Sequence, residues 1–191
     1  MKSCDFKPNL VIHSNSIAKL LKRRDVEKLL EINAARRAPE MVTTKKYQSK
    51  FKGYYRIRRG DQFCKPYFKL LRHHLERKTK PALKAILFAL HKKTNEWHLS
   101  FSSKLLATLD DSEPIYDRNV ATMLCVPHGA LKANRWAEQV EERMDLLKCR
   151  LKNIVSSSTW GQHEAAFNKA FPEASHLNSL RKADLMIWAS Y

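Results

Sequence analysis

The sequence predicts an all-α protein that folds as one compact helical domain spanning residues 1–191. Apolar side chains recur at intervals of three and four residues in five separate stretches, which is the period of an amphipathic helix. The chain contains four glycines, and no internal repeat or low-complexity linker divides it. A length of 191 residues is typical of a single domain with a hydrophobic core of its own.

The first two helices follow from apolar stripes and from residues that begin or end helices. Apolar positions over residues 17–30 predict an amphipathic helix, which Ser14 or Asn15 caps with a side-chain oxygen and which ends before Pro39. A short helix is expected from Pro66 to about residue 76.

The next two helices lead into an acidic turn. Pro81 suits the first turn of a helix capped by Thr79, because proline lacks the N–H that this turn leaves unpaired. The apolar face of this helix contains Leu83, Ile86, Leu87 and Leu90. In the following helix a core-facing stripe recurs every four residues, at Trp97, Phe101, Leu105 and Leu109. Ser100 and Lys104 share another face of that helix.

Three more helical segments follow the turn "DDSEP". One begins around Ile115. A long one is marked by Trp136, Val140, Met144, Leu147 and Leu151. The last carries Leu177, Leu180, Ala183 and Ile187.

The charge balance predicts a polyanionic partner. The chain has 36 Lys and Arg residues against 19 Asp and Glu, a formal net charge of +17. Nucleic acid is the commonest partner of such a chain, and an anionic membrane surface or simple solubility are the alternatives. No apolar run approaches the roughly 20 residues that span a bilayer, and "MKSCDFKPNL" lacks the apolar core of a signal peptide. We therefore expect no membrane segment and a cytoplasmic location.

The cysteines and histidines do not indicate a metal site. The four cysteines lie far apart without a C-x-x-C pair, so neither a zinc site nor a disulfide framework is predicted. His73 and His74 are adjacent, and adjacent residues of a helix point in different directions. We expect no metal and no cofactor.

Residues 45–59, "KKYQSKFKGYYRIRR", alternate basic and aromatic side chains. This mixture is typical of a surface that pairs with phosphates and stacks on bases, with Arg56, Arg58 and Arg59 as the phosphate contacts. The alternative is a solvated loop whose aromatic rings lie in the core. The sequence leaves both interpretations open.

Residues 97–125 contain "LSFSSK", the acidic turn and "PIYDRNV". This order resembles the helix-hairpin-helix superfamily of DNA glycosylases, in which a hairpin precedes a proline–apolar–aspartate segment. It is similar above all to a divergent bacterial branch that reads S-F-x-S-K and then P-I-x-D, here with a shortened, glycine-poor hairpin. "YYRIRRGDQF" and "KADLMIWA" extend the resemblance over roughly residues 54–188.

The resemblance implies a monofunctional DNA N-glycosylase that leaves an abasic site. Asp117 would be the catalytic carboxylate, because an ionised carboxylate stabilises the positive charge that develops on the sugar and orients a water molecule. Lys104 is a possible catalytic amine but is more readily interpreted as a phosphate anchor. Ser102 and Ser103 would bind the same backbone, and Arg118 and Asn119 would contact the strand or the lesion. The alternative for Asp117 is a simple helix cap.

Base excision implies base flipping, since the glycosidic bond is not reachable in the stack. The candidates for a base-pocket or wedge residue are Tyr116, Tyr55, Gln62 and Phe63. The expected partner is double-stranded DNA, bound by a monomeric bacterial protein associated with the nucleoid. The substrate would be a damaged base in DNA repair or a modified viral base in antiviral defence. A non-catalytic DNA- or RNA-binding helical protein is the alternative.

Overall fold

A computed structural model describes residues 21–190, and within this range the chain is helical without a β-strand. The prediction of an all-α protein is therefore confirmed for the described residues. Nine α-helices occur there: α1 Arg23–Asn33, α2 Lys45–Tyr54, α3 Asp61–Glu76, α4 Leu83–Thr94, α5 Leu99–Leu109, α6 Arg118–Met123, α7 Trp136–Val155, α8 Trp160–Ala170 and α9 Ser179–Ser190. Short 3-10 helices lie at Ala34–Arg36, Pro39–Thr43 and Pro172–Ala174.

The chain divides into two compact units. The first unit contains residues 24–113, which include α2 to α5 and nearly all of α1. The second unit contains, among the described residues, 21–23 and 114–190, which include α6 to α9. That the whole chain forms a single domain stays a prediction.

An aromatic cluster forms the core of the first unit. The ring centroid of Phe51, which is fully buried, lies 4.7 Å from that of Tyr55 and 5.4 Å from that of Phe68. Because Tyr47, Phe51 and Tyr55 recur every four residues, the basic segment forms helix α2 and turns these rings inward. Thr44 caps α2 by accepting a hydrogen bond from the main-chain N–H of Tyr47 at 3.2 Å. The alternative that places aromatic rings in the core is therefore correct for Tyr47, Phe51 and Tyr55, although residues 45–54 form a helix and only residues 55–59 a loop.

Helix α5 is buried on nearly all sides, which corrects the expected single apolar stripe. Leu105 is fully buried, whereas Trp97, Phe101 and Leu109 are only half-buried, and Trp97 precedes the helix. The buried residues of α5 are Leu99, Ser102, Ser103, Lys104, Leu105, Leu106, Ala107 and Thr108. When neighbouring elements enclose a helix, most of its positions are buried whatever their residue type. The spacing of apolar residues in the sequence then does not predict which positions are buried.

In the second unit, α9 packs against α6, α7 and α8. The stripe predicted for α7 is confirmed, since Val140, Met144, Leu147 and Leu151 are all buried. The predicted C-terminal helix is confirmed as α9. Helix α8 was not predicted, because it buries only Trp160 and Phe167, seven residues apart, and so lacks a continuous apolar stripe.

Several predicted helix starts are wrong. The expected caps Ser14 and Asn15 lie outside the described residues, and α1 begins only at residue 23. The helix expected from residue 66 begins at residue 61 and contains Pro66 in its interior. Thr79 does not cap α4, because Ala82 holds that position and the Thr79 hydroxyl lies 2.7 Å from His74 Nδ1. The helix expected around Ile115 begins three residues later, at residue 118.

The cysteines correct a further expectation. Cys64 and Cys149 are free thiols, but Cys125 is disulfide-bonded. Wide spacing along the chain did not exclude a disulfide, because spacing in sequence does not fix spacing in the folded chain. None of the helices between residues 21 and 190 is both long and apolar enough to cross a membrane.

Candidate functional site

Asp117 lies at the start of α6. Its backbone is extended, with φ −106° and ψ 147°, and its Oδ1 accepts a hydrogen bond from the main-chain N–H of Asn119 at 3.0 Å. The preceding Pro114 and Ile115 are buried, while the Asp117 side chain is half-buried. The P-I-x-D segment therefore anchors itself in the second unit and leaves a carboxylate partly accessible at a helix terminus. Such a carboxylate is both a helix cap and a group able to stabilise an adjacent positive charge.

Arg118 and Asn119 follow Asp117 in the first turn of α6. Arg118 is exposed and Asn119 is half-buried. Both side chains remain candidates for contact with a nucleic acid strand, and that role stays a prediction.

Tyr116 packs in the interior of the second unit, and its interpretation as a wall of the base site stays a prediction. Its side chain is buried, and its hydroxyl donates a hydrogen bond to the carbonyl oxygen of Pro127 at 2.5 Å. Burial raises the pKa of the phenol, although the neighbouring Arg143 lowers it in part, and the net shift is upward. Tyr116 is therefore a neutral hydrogen-bond donor in the interior of the second unit.

Lys104, Ser102 and Ser103 are buried in α5 and belong to the first unit, whereas Asp117 belongs to the second. Lys104 Nζ donates a hydrogen bond to the Tyr55 carbonyl at 3.4 Å and lies 5.5 Å from the centroid of the Phe101 ring. The expectation that these three side chains lie at an accessible helix end, ready to bind phosphate, is wrong. The physical reason is that residues 102–108 of α5 are all buried, so this part of the helix has no face open to solvent.

The other wedge candidates differ in how far their side chains are exposed to solvent. Tyr55 and Phe63 are buried in the aromatic core, with the Phe63 ring centroid 4.7 Å from that of His98, and a wedge role for either stays a prediction. Gln62 is exposed at the start of α3 and stays a candidate.

The basic residues after α2 are at the surface. Arg56 and Arg58 are exposed, and Arg59 is exposed while its guanidinium contacts Glu96 at 2.9 Å. Arg56 has a φ of 53°, which ends α2 in the left-handed region. Phosphate contacts at these three arginines stay a prediction.

The acidic turn after α5 is held by two cations. Lys80 Nζ lies 2.5 Å from Asp110 Oδ2 and 3.2 Å from Glu113 Oε1. Arg36 donates hydrogen bonds to the carbonyl oxygens of Ala107 and Thr108, which are otherwise unpaired at the end of a helix. These acids are therefore structural, and no group of three or more potential metal ligands occurs within residues 21–190.

We expect the stability of this turn to depend on pH. Burial raises the pKa of Asp110, but hydrogen bonds from Lys80 and Ser112 outweigh it and lower the pKa to about 2. The pKa of Lys80 is raised by the same contacts, so both partners indicate a stabilised ion pair. Asp110 thus stabilises the folded protein fully at pH values above 3.8, the ordinary pKa of its carboxyl group. This contribution is lost as the pH falls through about 2.

Lys80→Met should therefore lower the free energy of unfolding by at most about 1 kcal/mol at pH 6, because the pair is partly exposed. The effect should shrink as pH falls towards 2. Urea unfolding at several pH values measures this. Lys65→Met is the control, since the pair of Lys65 with Asp61 is almost fully exposed. An effect of Lys80→Met that does not change with pH would contradict the assignment.

The net charge is concentrated in the first unit. Residues 24–113 contain 21 Lys and Arg against 10 Asp and Glu, whereas residues 114–190 contain 10 against 8. The excess positive charge of the described residues is thus carried mainly by α1 to α5 and their connections. Sequence reasoning missed this division because it treated the chain as one unit.

A cleft of about 260 Å³ lies in the first unit beside α2. Its lining includes Met41, Tyr47 and the ion pair of Lys50 with Glu31. No residue predicted for the site lines it. The cleft is therefore not assigned as a base pocket.

Sequence reasoning also missed a cluster of buried charges in α9. Arg181, Lys182 and Asp184 are each at most 4% exposed. Arg181 Nη1 lies 3.0 Å from Asp184 Oδ2, and Lys182 Nζ lies 2.9 Å from Glu164 Oε1. Burial raises the pKa of Glu164, but hydrogen bonds from Lys182 and Ser179 produce a net decrease. The sequence did contain a signal for this cluster, because three charged residues occur within one and a half turns of a helix that is otherwise largely apolar.

No protein-family model, curated protein or solved structure matches the chain. An assignment of function therefore depends on the residues described above and on the sequence pattern that contains Asp117.

Proposed function

We propose that the protein is a DNA N-glycosylase, which extrudes a damaged or modified base and hydrolyses its N-glycosidic bond. The observation that carries the proposal is the P-I-x-D segment, which places the half-buried carboxylate of Asp117 at the start of α6. Buried residues on its N-terminal side fix the carboxylate, and an exposed arginine follows it. The fixed carboxylate can act on the sugar, and the exposed arginine beside it can bind a phosphate of the anionic substrate.

In the proposed reaction, the bond between the deoxyribose C1′ and the base nitrogen breaks while water adds to C1′. Positive charge develops on the sugar, and the Asp117 carboxylate stabilises it and accepts a hydrogen bond from the attacking water. The base leaves with the electron pair of the broken bond and takes up a proton, and the product is an abasic site. The proposed enzyme is monofunctional, because the Lys104 amine is buried and donates a hydrogen bond to the Tyr55 carbonyl, so it is not accessible as a nucleophile.

The proposed partner is double-stranded DNA, bound by a monomer associated with the bacterial nucleoid. The excess of basic residues in the first unit supports a polyanionic partner. The base is either a lesion, which makes the activity DNA repair, or a modified base of viral DNA, which makes it antiviral defence. The two substrate classes require different DNA in the test.

The test is release of free bases, measured by mass spectrometry, from damaged cellular DNA and from heavily modified phage DNA. We expect one base to appear in excess over a reaction without protein, and the DNA strand to stay intact until alkali cleaves the abasic sites. Strand cleavage without alkali would contradict the monofunctional assignment. Absence of any released base, with tight and salt-sensitive DNA binding, would contradict the glycosylase.

The second candidate is a nucleic-acid-binding protein without catalysis, and a specific observation favours it. Phe88 in α4 is 43% exposed, and Lys92 Nζ lies 4.5 Å from the centroid of its ring. An exposed ring beside a cation suits stacking on an unpaired base. Affinity for single-stranded RNA above that for duplex DNA, lost in Phe88→Ala, would favour this function.

A further inference from the structure

The loop of residues 125–135 connects α6 to α7 and is held from inside the second unit. The Tyr116 hydroxyl donates a hydrogen bond to the carbonyl oxygen of Pro127, and Arg143 Nη1 donates one to the carbonyl oxygen of Gly129 at 2.8 Å. These two carbonyls flank His128 on either side. The backbone around His128 is therefore tied down at two neighbouring points.

Both donors are interior groups on different elements. Tyr116 is 5% exposed and Arg143 is 7% exposed, and the neighbouring Arg143 guanidinium lowers the pKa of Tyr116 in part. Burial removes the water that would hydrate a guanidinium or a phenol, and this costs free energy unless another group accepts their hydrogen bonds. The two loop carbonyls accept these hydrogen bonds and so offset the cost. The loop conformation is thus coupled to the packing of the unit.

His128 itself lies at the surface of this anchored backbone, since residues 127 to 130 are all exposed. Gly129 has a φ of 119°, a conformation that residues with a β-carbon rarely adopt. A loop that buried side chains fix while its central side chain faces solvent is preorganised for binding, because little conformational entropy remains to be lost.

The chemistry of the loop suits an anionic partner. Residues 125–135 contain no Asp or Glu, and they include the exposed His128 and Lys132. Arg135 is exposed as well, but its guanidinium forms ion pairs with Glu138 and Glu142 of α7. The anchoring residue Tyr116 immediately precedes Asp117, so the loop lies within one tyrosine side chain of the backbone that carries the candidate carboxylate. The loop and the backbone of Asp117 are therefore linked through Tyr116 within the second unit.

We propose that loop 125–135 binds duplex DNA beside the nucleotide held at Asp117, with His128 as the side chain that stacks against the opened base pair. An imidazole presents a flat ring for stacking and N–H groups for hydrogen bonds to base edges. Lys132 contacts a phosphate of the same duplex. The position relative to the nucleotide rests on the proposed function, whereas DNA binding by the loop does not.

The test uses the full chain and a duplex that contains one tetrahydrofuran abasic analogue, so no base has to be known or released. Fluorescence anisotropy compares this duplex with an intact duplex of the same sequence. We expect His128→Ala to bind the abasic duplex about tenfold more weakly, as for loss of one stacking contact, with a smaller change for the intact duplex.

Gly129→Ala tests the loop conformation with the histidine retained. A β-carbon at Gly129 meets no atom within 4 Å, so the left-handed φ alone carries the penalty. Gly161→Ala in α8 is the matched control, because its β-carbon is equally unobstructed and its backbone is helical. We expect Gly129→Ala to weaken abasic-duplex binding as His128→Ala does, and Gly161→Ala to bind as the wild type does.

Wild-type affinity in both His128→Ala and Gly129→Ala, with unchanged circular dichroism, would overturn the inference. An equal loss on the abasic and the intact duplex would overturn the role of His128 at an opened base pair. Selective loss of abasic-duplex binding in a protein that releases no base would support the loop and reject the glycosylase. The two proposals therefore fail independently.

Discussion

Asp117→Asn should release base at least about 100-fold more slowly than the wild type, since removal of one electrostatic contact to a transition state typically costs this much. Asparagine keeps the shape of the side chain and is as good a helix cap as aspartate. The hydrogen bond to the N–H of Asn119 therefore persists, and only the negative charge is lost. Single-turnover kinetics on the DNA that releases base, together with a melting curve, measure the effect.

Two further variants distinguish the effect of the negative charge of Asp117 from the effect of its capping hydrogen bond. Asp117→Ser also retains a capping oxygen and should be as inactive as Asp117→Asn. Asp145→Asn changes the net charge equally at an exposed position of α7 and should leave base release unchanged. Base release at the wild-type rate in Asp117→Asn would reduce this residue to its structural role at the start of α6.

The sequence predicted helices best where a single face is buried. The stripe of α7 was read correctly because its apolar positions alternate with charged ones. Helix α5 was misread because its small and polar residues, such as Ser102 and Lys104, are buried together with its leucines. Residue type indicates an average environment, and tertiary packing overrides it in the centre of a small helical unit.

The candidate site was predictable only in part, for a related reason. Asp117 follows Pro114 by three residues, so its position near a helix start was readable, although the helix itself begins three residues later than predicted. The anchoring of loop 125–135 was not readable, because it depends on a tyrosine and an arginine that reach main-chain carbonyls. Main-chain acceptors exist at every residue, and the sequence does not distinguish those that receive a buried donor.

Asp184→Ala should destabilise the protein by about 3–5 kcal/mol, the usual cost of removing one partner from a buried ion pair. Arg181 is 2% exposed, and the substitution removes the carboxylate that lies 3.0 Å from its guanidinium. The guanidinium that remains has lost this carboxylate and is shielded from bulk water. Urea unfolding, followed by circular dichroism, measures the change in the free energy of unfolding.

Glu138→Ala is the control, because Glu138 pairs with Arg135 at the surface and such pairs contribute at most about 1 kcal/mol. A loss below 1 kcal/mol in Asp184→Ala would contradict a buried, mutually dependent pair. The double variant Arg181→Met, Asp184→Leu should recover much of the stability, since apolar side chains of similar size often replace a buried pair at little cost. If it does, the pair is not needed for stability, and its effect on base release then shows whether α9 takes part in the proposed reaction.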